Sequence, residues 1–359
     1  MKKLFIVPIE PIEKRYTKQW YYKLPDVARG YLPDNWEVVN LEVDLPTSGT
    51  TSSGAFLNFA ETVQFKASQA KELSILLASN VINDGDAILF CDAWNPAILD
   101  IKYQIELTKK DVKLFGIWHA GSYDPTDILG MVMDKSWSLP TERAMFHALD
   151  CSFFGTHFHR TMFMANLGID SAFANKAVVV GYPLEMMLEE ISKIGAGVNR
   201  LEKKDKVVFT GRLNSDKMPE LVRGLKPLLE DNNIELVLTQ ELNLTKDAYY
   251  RTLWDSKVVI STALHENLGI GVGEGILCGC YPIVPDRSSY KEIYSNIERY
   301  SDSLLTTDQH LFQDTMVNMI KQVIDNFDDY QEAINSASVT LTDTYFSSRA
   351  MFGAINDIT

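Results

Sequence analysis

Ser261-Thr-Ala-Leu-His-Glu-Asn-Leu-Gly-Ile-Gly-Val-Gly-Glu-Gly-Ile-Leu-Cys-Gly-Cys-Tyr-Pro-Ile-Val-Pro285 is the stretch whose reading decides the fold. Lys257–Ser261 reads as a strand, and a loop carrying His265 and Glu266 follows it. The glycines Gly269, Gly271 and Gly273 then open a helix near Leu268, and Tyr281–Val284 is a short apolar strand closed by Pro285. A loop that leaves a parallel strand and enters a helix N-terminus is where open α/β sheets bind phosphorylated ligands. With that helix start, Glu266 falls in the loop and Glu274 on the first turns, with unpaired backbone N–H groups between them. Carboxylates accept hydrogen bonds from sugar hydroxyls, and the N–H groups suit a diphosphate. The plainer reading is that both glutamates only stabilise a helix start.

A second feature bears on the choice. Phe209-Thr-Gly-Arg-Leu-Asn-Ser-Asp-Lys217 puts Gly211 and Arg212 directly after a strand and Lys217 on the next turn. An arginine fork and a lysine point charge at this spacing can embrace a diphosphate. A turn with solvated charges is the alternative.

The rest of the chain repeats strand, loop and helix. Strands are expected at Lys3–Pro8, Trp36–Leu41, Ala87–Cys91, Lys113–Trp118, Cys151–Phe154 and Ala177–Val180, then at Lys206–Thr210 and Ile234–Leu238. Helices are expected at Phe59–Ser79, Glu142–Leu149, Pro219–Leu229, Lys246–Trp254 and Leu311–Phe327. Ile9–Lys23 reads as a loop mixing cations with aromatics, and Pro46–Gly54 as a surface loop. Polar punctuation after each strand describes doubly wound α/β sheets with ligands at the carboxyl ends of the strands. The expected domains are 1–184, 185–340 and a terminal helical segment 341–359, with the boundary in Glu185–Lys204.

Glu266 and Glu274, with Cys278-Gly-Cys-Tyr-Pro-Ile-Val behind them, resemble the Glu-x7-Glu signature of retaining glycosyltransferases of family four. Ala263-Leu-His-Glu-Asn-Leu-Gly and the Cys-Gly-Cys-Tyr-Pro run resemble the branch containing tRNA-queuosine mannosyltransferases, and the whole chain resembles glycosyltransferases of T4-like phages and cyanophages. The resemblance implies the GT-B architecture, two Rossmann-like doubly wound domains facing across a cleft, with the last helix crossing back to the first domain. It implies a retaining front-face transfer from a nucleotide-sugar, most simply a UDP-sugar; no other cofactor is expected, and, because Asp84-Gly-Asp86 precedes its strand, no essential metal. By the same resemblance Glu274 takes the ribose hydroxyls, Glu266 the donor sugar, and Arg212 and Lys217 the leaving diphosphate. Gly211 and the backbone at Asn267, Leu268, Gly269 and Ile270 complete the donor site, and His119 faces the donor sugar. The family usually carries bulkier residues where this chain has Gly271, Gly273 and Gly275, which points to close approach of a ligand or of neighbouring structure.

A length of 359 residues suits two domains. No apolar run is long enough to span a membrane, and Met1–Ile9 reads as a buried strand rather than a signal peptide. Cys91, Cys151, Cys278 and Cys280 have neither zinc-site nor disulfide spacing, so a cytoplasmic setting is expected. The net charge of −14 argues against a protein coated for non-specific nucleic-acid binding, but not against a local basic face. Asp84-Gly-Asp86 has the form of a metal motif but precedes its strand, so it reads as a turn.

The acceptor is the least legible part. Lys14, Arg15, Lys18 and Lys23 interleave with Tyr16, Trp20, Tyr21 and Tyr22, a pattern in which cations meet phosphates and aromatics stack on an extruded base. An amphipathic helix with core aromatics explains it as well. Asp92, Trp94 and Asn95 follow a strand on the correct edge, and Tyr123 and His157 join Arg15 and Trp20 as acceptor-side candidates. The phage resemblance implies a hydroxylated base in DNA, such as 5-hydroxymethylcytosine. Queuosine in tRNA, a cell-surface glycan, or a nucleotide-sugar-binding protein without catalysis are the alternatives.

Overall fold

Leu4, Phe5, Ile6 and Val7 are at most 1% exposed, so the first apolar run is a strand covered on both faces. The structure is a computed structural model and describes residues 1–13, 15–44, 58–195 and 203–359. The expected surface loop Pro46–Gly54, together with Lys14 and Gly197, lies outside the described residues.

The chain divides into two units, Met1–Met186 with Phe346–Thr359, and Met187–Tyr345. The first holds β1 (Lys2–Val7), α1 (Tyr16–Tyr31), β2 (Trp36–Asn40), α2 (Phe59–Ala78), β3 (Ala87–Phe90), α3 (Ala97–Thr108), β4 (Lys113–Ile117), α4 (Ile128–Val132), α5 (Lys135–Ala148), β5 (Cys151–Phe154), α6 (His157–Leu167) and β6 (Ala177–Val179). Its six strands are all parallel, in the order β2-β1-β3-β4-β5-β6. α7 (Glu185–Gly195) spans the division between the units. The second unit holds β7 (Lys204–Phe209), α8 (Pro219–Arg223), α9 (Lys226–Glu230), β8 (Glu235–Leu238), α10 (Lys246–Trp254), β9 (Ser256–Ile260), α11 (Ile270–Leu277), β10 (Tyr281–Ile283), α12 (Tyr290–Ile293), α13 (Gln309–Asp325) and α14 (Gln331–Thr340). Its sheet is parallel in the order β10-β9-β7-β8. The final helix α15 (Arg349–Ile358) belongs to the first unit, where Trp36 Nε1 donates to Asn356 Oδ1 at 3.1 Å and Tyr31 stacks on Phe352.

Each order reverses direction once, between β1 and β3 in the first sheet and between β7 and β9 in the second. At such a switch point the flanking loops diverge to opposite faces and leave a crevice at the carboxyl edge.

Three details differ from the sequence expectation. The segment Ile9–Lys23 is not all loop, because α1 begins at Tyr16 and buries Thr17, Trp20 and Leu24 on one face. The helix expected at Glu142 begins at Lys135, capped by Asp134 and carrying Pro140 inside its first turns. Pro219–Leu229 is two short helices, α8 and α9. Asp84-Gly-Asp86 is a turn, as expected: Gly85 has φ +83°, Asp86 accepts from Lys3 N and Asn83 N, and Asp84 accepts from Asp111 N.

Candidate functional site

The switch point of the second sheet collects the donor-side candidates other than Glu274. Gly211 and Arg212 follow β7, and His265 to Ile270 follow β9. Between them Lys217 is 6% exposed, and its Nζ lies 2.8 Å from Glu266 Oε1 and 3.2 Å from Asp216 Oδ2. The same ammonium donates to the carbonyl of His265. Arg212 Nη2 lies 3.6 Å from Asp216 Oδ2, so one aspartate faces both cations. Two bonds to main-chain carbonyls lock the loops: Leu264 N donates to Asp216 O at 2.8 Å, and Thr262 Oγ1 to Lys217 O at 2.7 Å. Asn267 Oδ1 is 3.1 Å from His265 Nε2, and Leu268 is buried at 3% exposure.

α11 begins at Ile270, slightly later than expected, because its cap Gly269 sits at φ +72°, where a side chain is strained. A Cβ at Gly269 would also stand 2.7 Å from Tyr290 Cε1. Gly271 and Gly275 are explained by packing. A Cβ on Gly271 would stand 2.7 Å from Thr210 Oγ1, and one on Gly275 2.8 Å from Val259 Cβ. The helix lies directly on β9 and on the end of β7, and this close approach brings its N-terminal N–H groups to the switch point.

Glu274, 6% exposed, faces α10. Its Oε1 accepts from Lys246 Nζ at 2.9 Å and Tyr250 OH at 3.0 Å, and its Oε2 from Tyr249 OH at 2.7 Å. Burial, then the Glu274 charge, pushes both phenols upward, so they stay protonated as donors. Glu274 bonds to α10, whereas Glu266 pairs with Lys217, so the two glutamates occupy separate polar clusters along one helix start. The tyrosines and Lys246 were not foreseen; only their i, i+3 and i, i+4 spacing at the start of α10 could have signalled them.

In the first unit, a buried polar cluster marks the β1/β3 switch point. Asp92, after β3, pairs with Lys66 of α2 at 2.7 Å, and Lys66 also donates to the carbonyl of Trp94. Glu10, after β1, is 4% exposed and accepts from the Thr62 hydroxyl, while its Oε2 has no hydrogen-bond partner among the described residues. Burial raises the Glu10 carboxyl above the usual range, against the pull of Lys66. Lys66 is likewise raised: burial pulls it down, but Asp92 and Glu10 outweigh that. Glu10 and Lys66 were missed from sequence because neither falls in a recognisable pattern.

His119 Nε2 lies 2.7 Å from the Cys91 carbonyl and Nδ1 3.1 Å from Tyr16 OH, with Tyr182 and Trp20 rings 4.9 and 5.3 Å away. The carbonyl fixes the proton on Nε2, and burial lowers the ring's proton affinity, so this imidazole is neutral. Trp94 directs Nε1 to Glu142 Oε1 at 2.7 Å, and Glu142 in turn holds Ser122.

Three acceptor-side candidates are corrected. Trp20 is 1% exposed and packs in the core against His119 and Tyr182, so it offers no face to a base. Tyr123 is 2% exposed, bonded to His159 Nε2. Asn95, also 2% exposed, donates to Gln69 Oε1 at 2.8 Å and accepts from Ala97 N, capping α3. Asp92, Trp94 and Arg15 are half-buried, and His157 is exposed at the start of α6. Among the described residues no group of three or more His, Cys, Asp or Glu side chains could hold a metal ion, and no helix is long and apolar enough to cross a membrane.

No protein-family model matches the chain. A 61-residue stretch is 43% identical to the tRNA-queuosine alpha-mannosyltransferase of Drosophila melanogaster, covering 17% of this chain and 16% of that protein. Among solved structures, sucrose-phosphate synthase from Thermosynechococcus elongatus superposes with a TM-score of 0.64 at 10% identity, over 100% of this chain and 98% of that one. HepE of Anabaena, solved in complex with UDP and glucose, superposes with a TM-score of 0.56 at 14% identity, over 99% and 97%. The chain has the two-sheet α/β fold of these proteins, the GT-B fold.

Proposed function

We propose that the chain is a nucleotide-sugar-dependent glycosyltransferase that retains the anomeric configuration. The observation that carries the reading is the buried Lys217–Glu266 pair at the second sheet's switch point, with Arg212 beside it at the start of a glycine-packed helix. In this reading Arg212 and Lys217 offset the charge on the departing diphosphate, where fixed cations lower the barrier. Glu266 addresses the donor sugar, the N–H groups from Asn267 to Ile270 hold sugar and phosphate, and Glu274 takes a ribose hydroxyl. The donor is a UDP-sugar carrying glucose or arabinose; the complex of HepE with UDP and glucose supports this choice of nucleotide. The second unit holds the donor and the first unit the acceptor, near Asp92 and Trp94.

The acceptor is the hydroxyl of a modified nucleoside, 5-hydroxymethylcytosine in DNA. A second reading, queuosine in tRNA, is favoured by the local match to the Drosophila mannosyltransferase. Burial of Trp20 removes one of the aromatic supports for base stacking, which narrows the difference between the two.

Purified protein mixed with UDP- and GDP-sugars and with 5-hydroxymethylcytosine DNA, unmodified DNA or bulk tRNA tests this, nucleosides being read by mass spectrometry. A hexose or pentose mass gain on the modified DNA alone is expected. Gain on a tRNA nucleoside selects the second reading. No consumption of any nucleotide-sugar, with or without acceptor, overturns the enzyme and leaves at most a binding protein.

A further inference from the structure

Glu274 is nearly saturated by its own protein. A carboxylate has about four acceptor positions, and here Lys246 and Tyr250 occupy Oε1 while Tyr249 occupies one side of Oε2. Among the described residues one acceptor position is left, on Oε2. A ribose presents two adjacent hydroxyls, and this carboxylate has room to accept from only one. The oxygen of the other needs a donor.

Lys246 is that donor. Its ammonium carries three N–H groups and, among the described residues, donates one hydrogen bond, to Glu274 Oε1. Its side chain is 29% exposed, whereas that of Glu274 is 8% exposed, so the lysine is the member of the pair that reaches the surface. The ammonium is held in place: Nζ lies 4.6 Å from the Tyr250 ring centre and 5.2 Å from that of Tyr249. Placement at the first position of α10 fixes the backbone beneath it.

We infer that Lys246 is a specificity residue for the nucleotide, reading a vicinal diol jointly with Glu274: one hydroxyl donates to Glu274 Oε2, and the oxygen of its neighbour accepts from Lys246 Nζ. This rests on the reading of the second unit as the nucleotide-binding one. The pairing demands a cis diol, so ribonucleotides are selected over deoxyribonucleotides.

Calorimetric titration of the full chain with UDP, 2′-deoxy-UDP and 3′-deoxy-UDP tests the inference without any mutation. Loss of either hydroxyl is expected to weaken binding about tenfold, the scale of a hydrogen bond to a charged group. Lys246→Met keeps an unbranched aliphatic side chain at this position and removes the donor. It is expected to weaken UDP about tenfold and to make one of the two deoxy analogues bind as well as UDP does. Lys246→Arg, which keeps a cationic donor, is expected to recover most of the loss. UDP binding in the wild type with no discrimination against either analogue overturns the inference alone, as does a folded Lys246→Met that binds all three like the wild type. Absence of UDP binding by the wild type overturns the nucleotide reading itself, and the inference falls with it.

Discussion

Lys217 Nζ stands 2.8 Å from Glu266 Oε1, joining the loop after β7 to the loop after β9 across the point where the second sheet's strand order reverses. The lysine side chain is 8% exposed and the glutamate 23%, so the pair is largely withdrawn from water. It is also tied to the main chain at His265, so it shapes the loop as well as charging it. Lys217→Met leaves Glu266 without its cation and should cost about 2 kcal/mol, below the figure for a fully buried pair because Glu266 is partly solvated. Turnover of the nucleotide-sugar should fall about a hundredfold or more in the fraction that stays folded. Chemical denaturation and a donor-hydrolysis assay measure the two effects separately. A folded variant with wild-type turnover would remove Lys217 from the chemistry.

The glycines of α11 and α15 should answer the same substitution with opposite signs. Gly353, in α15, has nothing within 4 Å of an added Cβ, and alanine there should stabilise by about 1 kcal/mol through helix propensity alone. Gly275 gains the same propensity but would drive its Cβ to 2.8 Å from Val259 Cβ in β9. Overpacking of that kind costs about 1–3 kcal/mol. Gly275→Ala is therefore expected to lower the melting temperature and Gly353→Ala to raise it. Equal shifts would mean that α11 is free to move off the sheet.

What the sequence conveyed and what it hid divides along physical lines. Parallel strands buried on both faces are near-continuous apolar runs, so β1, β3, β4, β5 and β7 were legible within a residue or two. The helix after the signature loop was legible because glycines and a strand bracket it. Its first residue was not, since Gly269 rather than Leu268 carries the left-handed cap. Trp20 is ambiguous in the sequence because an aromatic between lysines reads alike on a binding face and on the buried stripe of an amphipathic helix; what separates them is which residues pack against it, here His119 and Tyr182. Glu10 with Lys66 and Glu274 with Lys246 were hidden for a different reason: each pair joins elements far apart in the chain.

Glu10 should give the protein a measurable pH dependence. Burial holds its carboxyl above the ordinary 4.5, with Lys66 and Thr62 opposing and Asp92 adding to the shift. The folded chain therefore binds this proton more tightly than the unfolded chain. The stability it supplies is complete below pH 4.5 and is lost as pH rises through the raised folded value. Glu142 is raised as well and contributes a slope of the same sign, so the comparison must be between variant and wild type. Glu10→Gln retains an acceptor for Thr62 and cannot ionise. Its stability relative to wild type should increase from about pH 4 toward about pH 8, followed by urea denaturation at each pH. A difference that is flat or falls over that range would mean the carboxylate is compensated by Lys66 in full.

Trp20 provides the sharpest test of whether the basic-aromatic helix contacts an acceptor through its tryptophan. The ring is 1% exposed, meets His119 at 5.3 Å and Tyr182 edge-on at 5.9 Å, and belongs to the face of α1 that also buries Leu24 and Ala28. Truncation to alanine removes a large core side chain and should cost about 3–5 kcal/mol. Tyr22, on the same helix but 59% exposed, should tolerate alanine within about 0.5 kcal/mol. If the indole is structural, Trp20→Ala lowers the melting temperature and the active fraction together, and its folded fraction discriminates among DNA, tRNA and glycan acceptors as the wild type does. Trp20→Phe, which keeps an aromatic against His119, should restore most of the stability. A Trp20→Phe protein of normal stability whose acceptor KM rises while its donor KM is unchanged would instead place the indole at the acceptor.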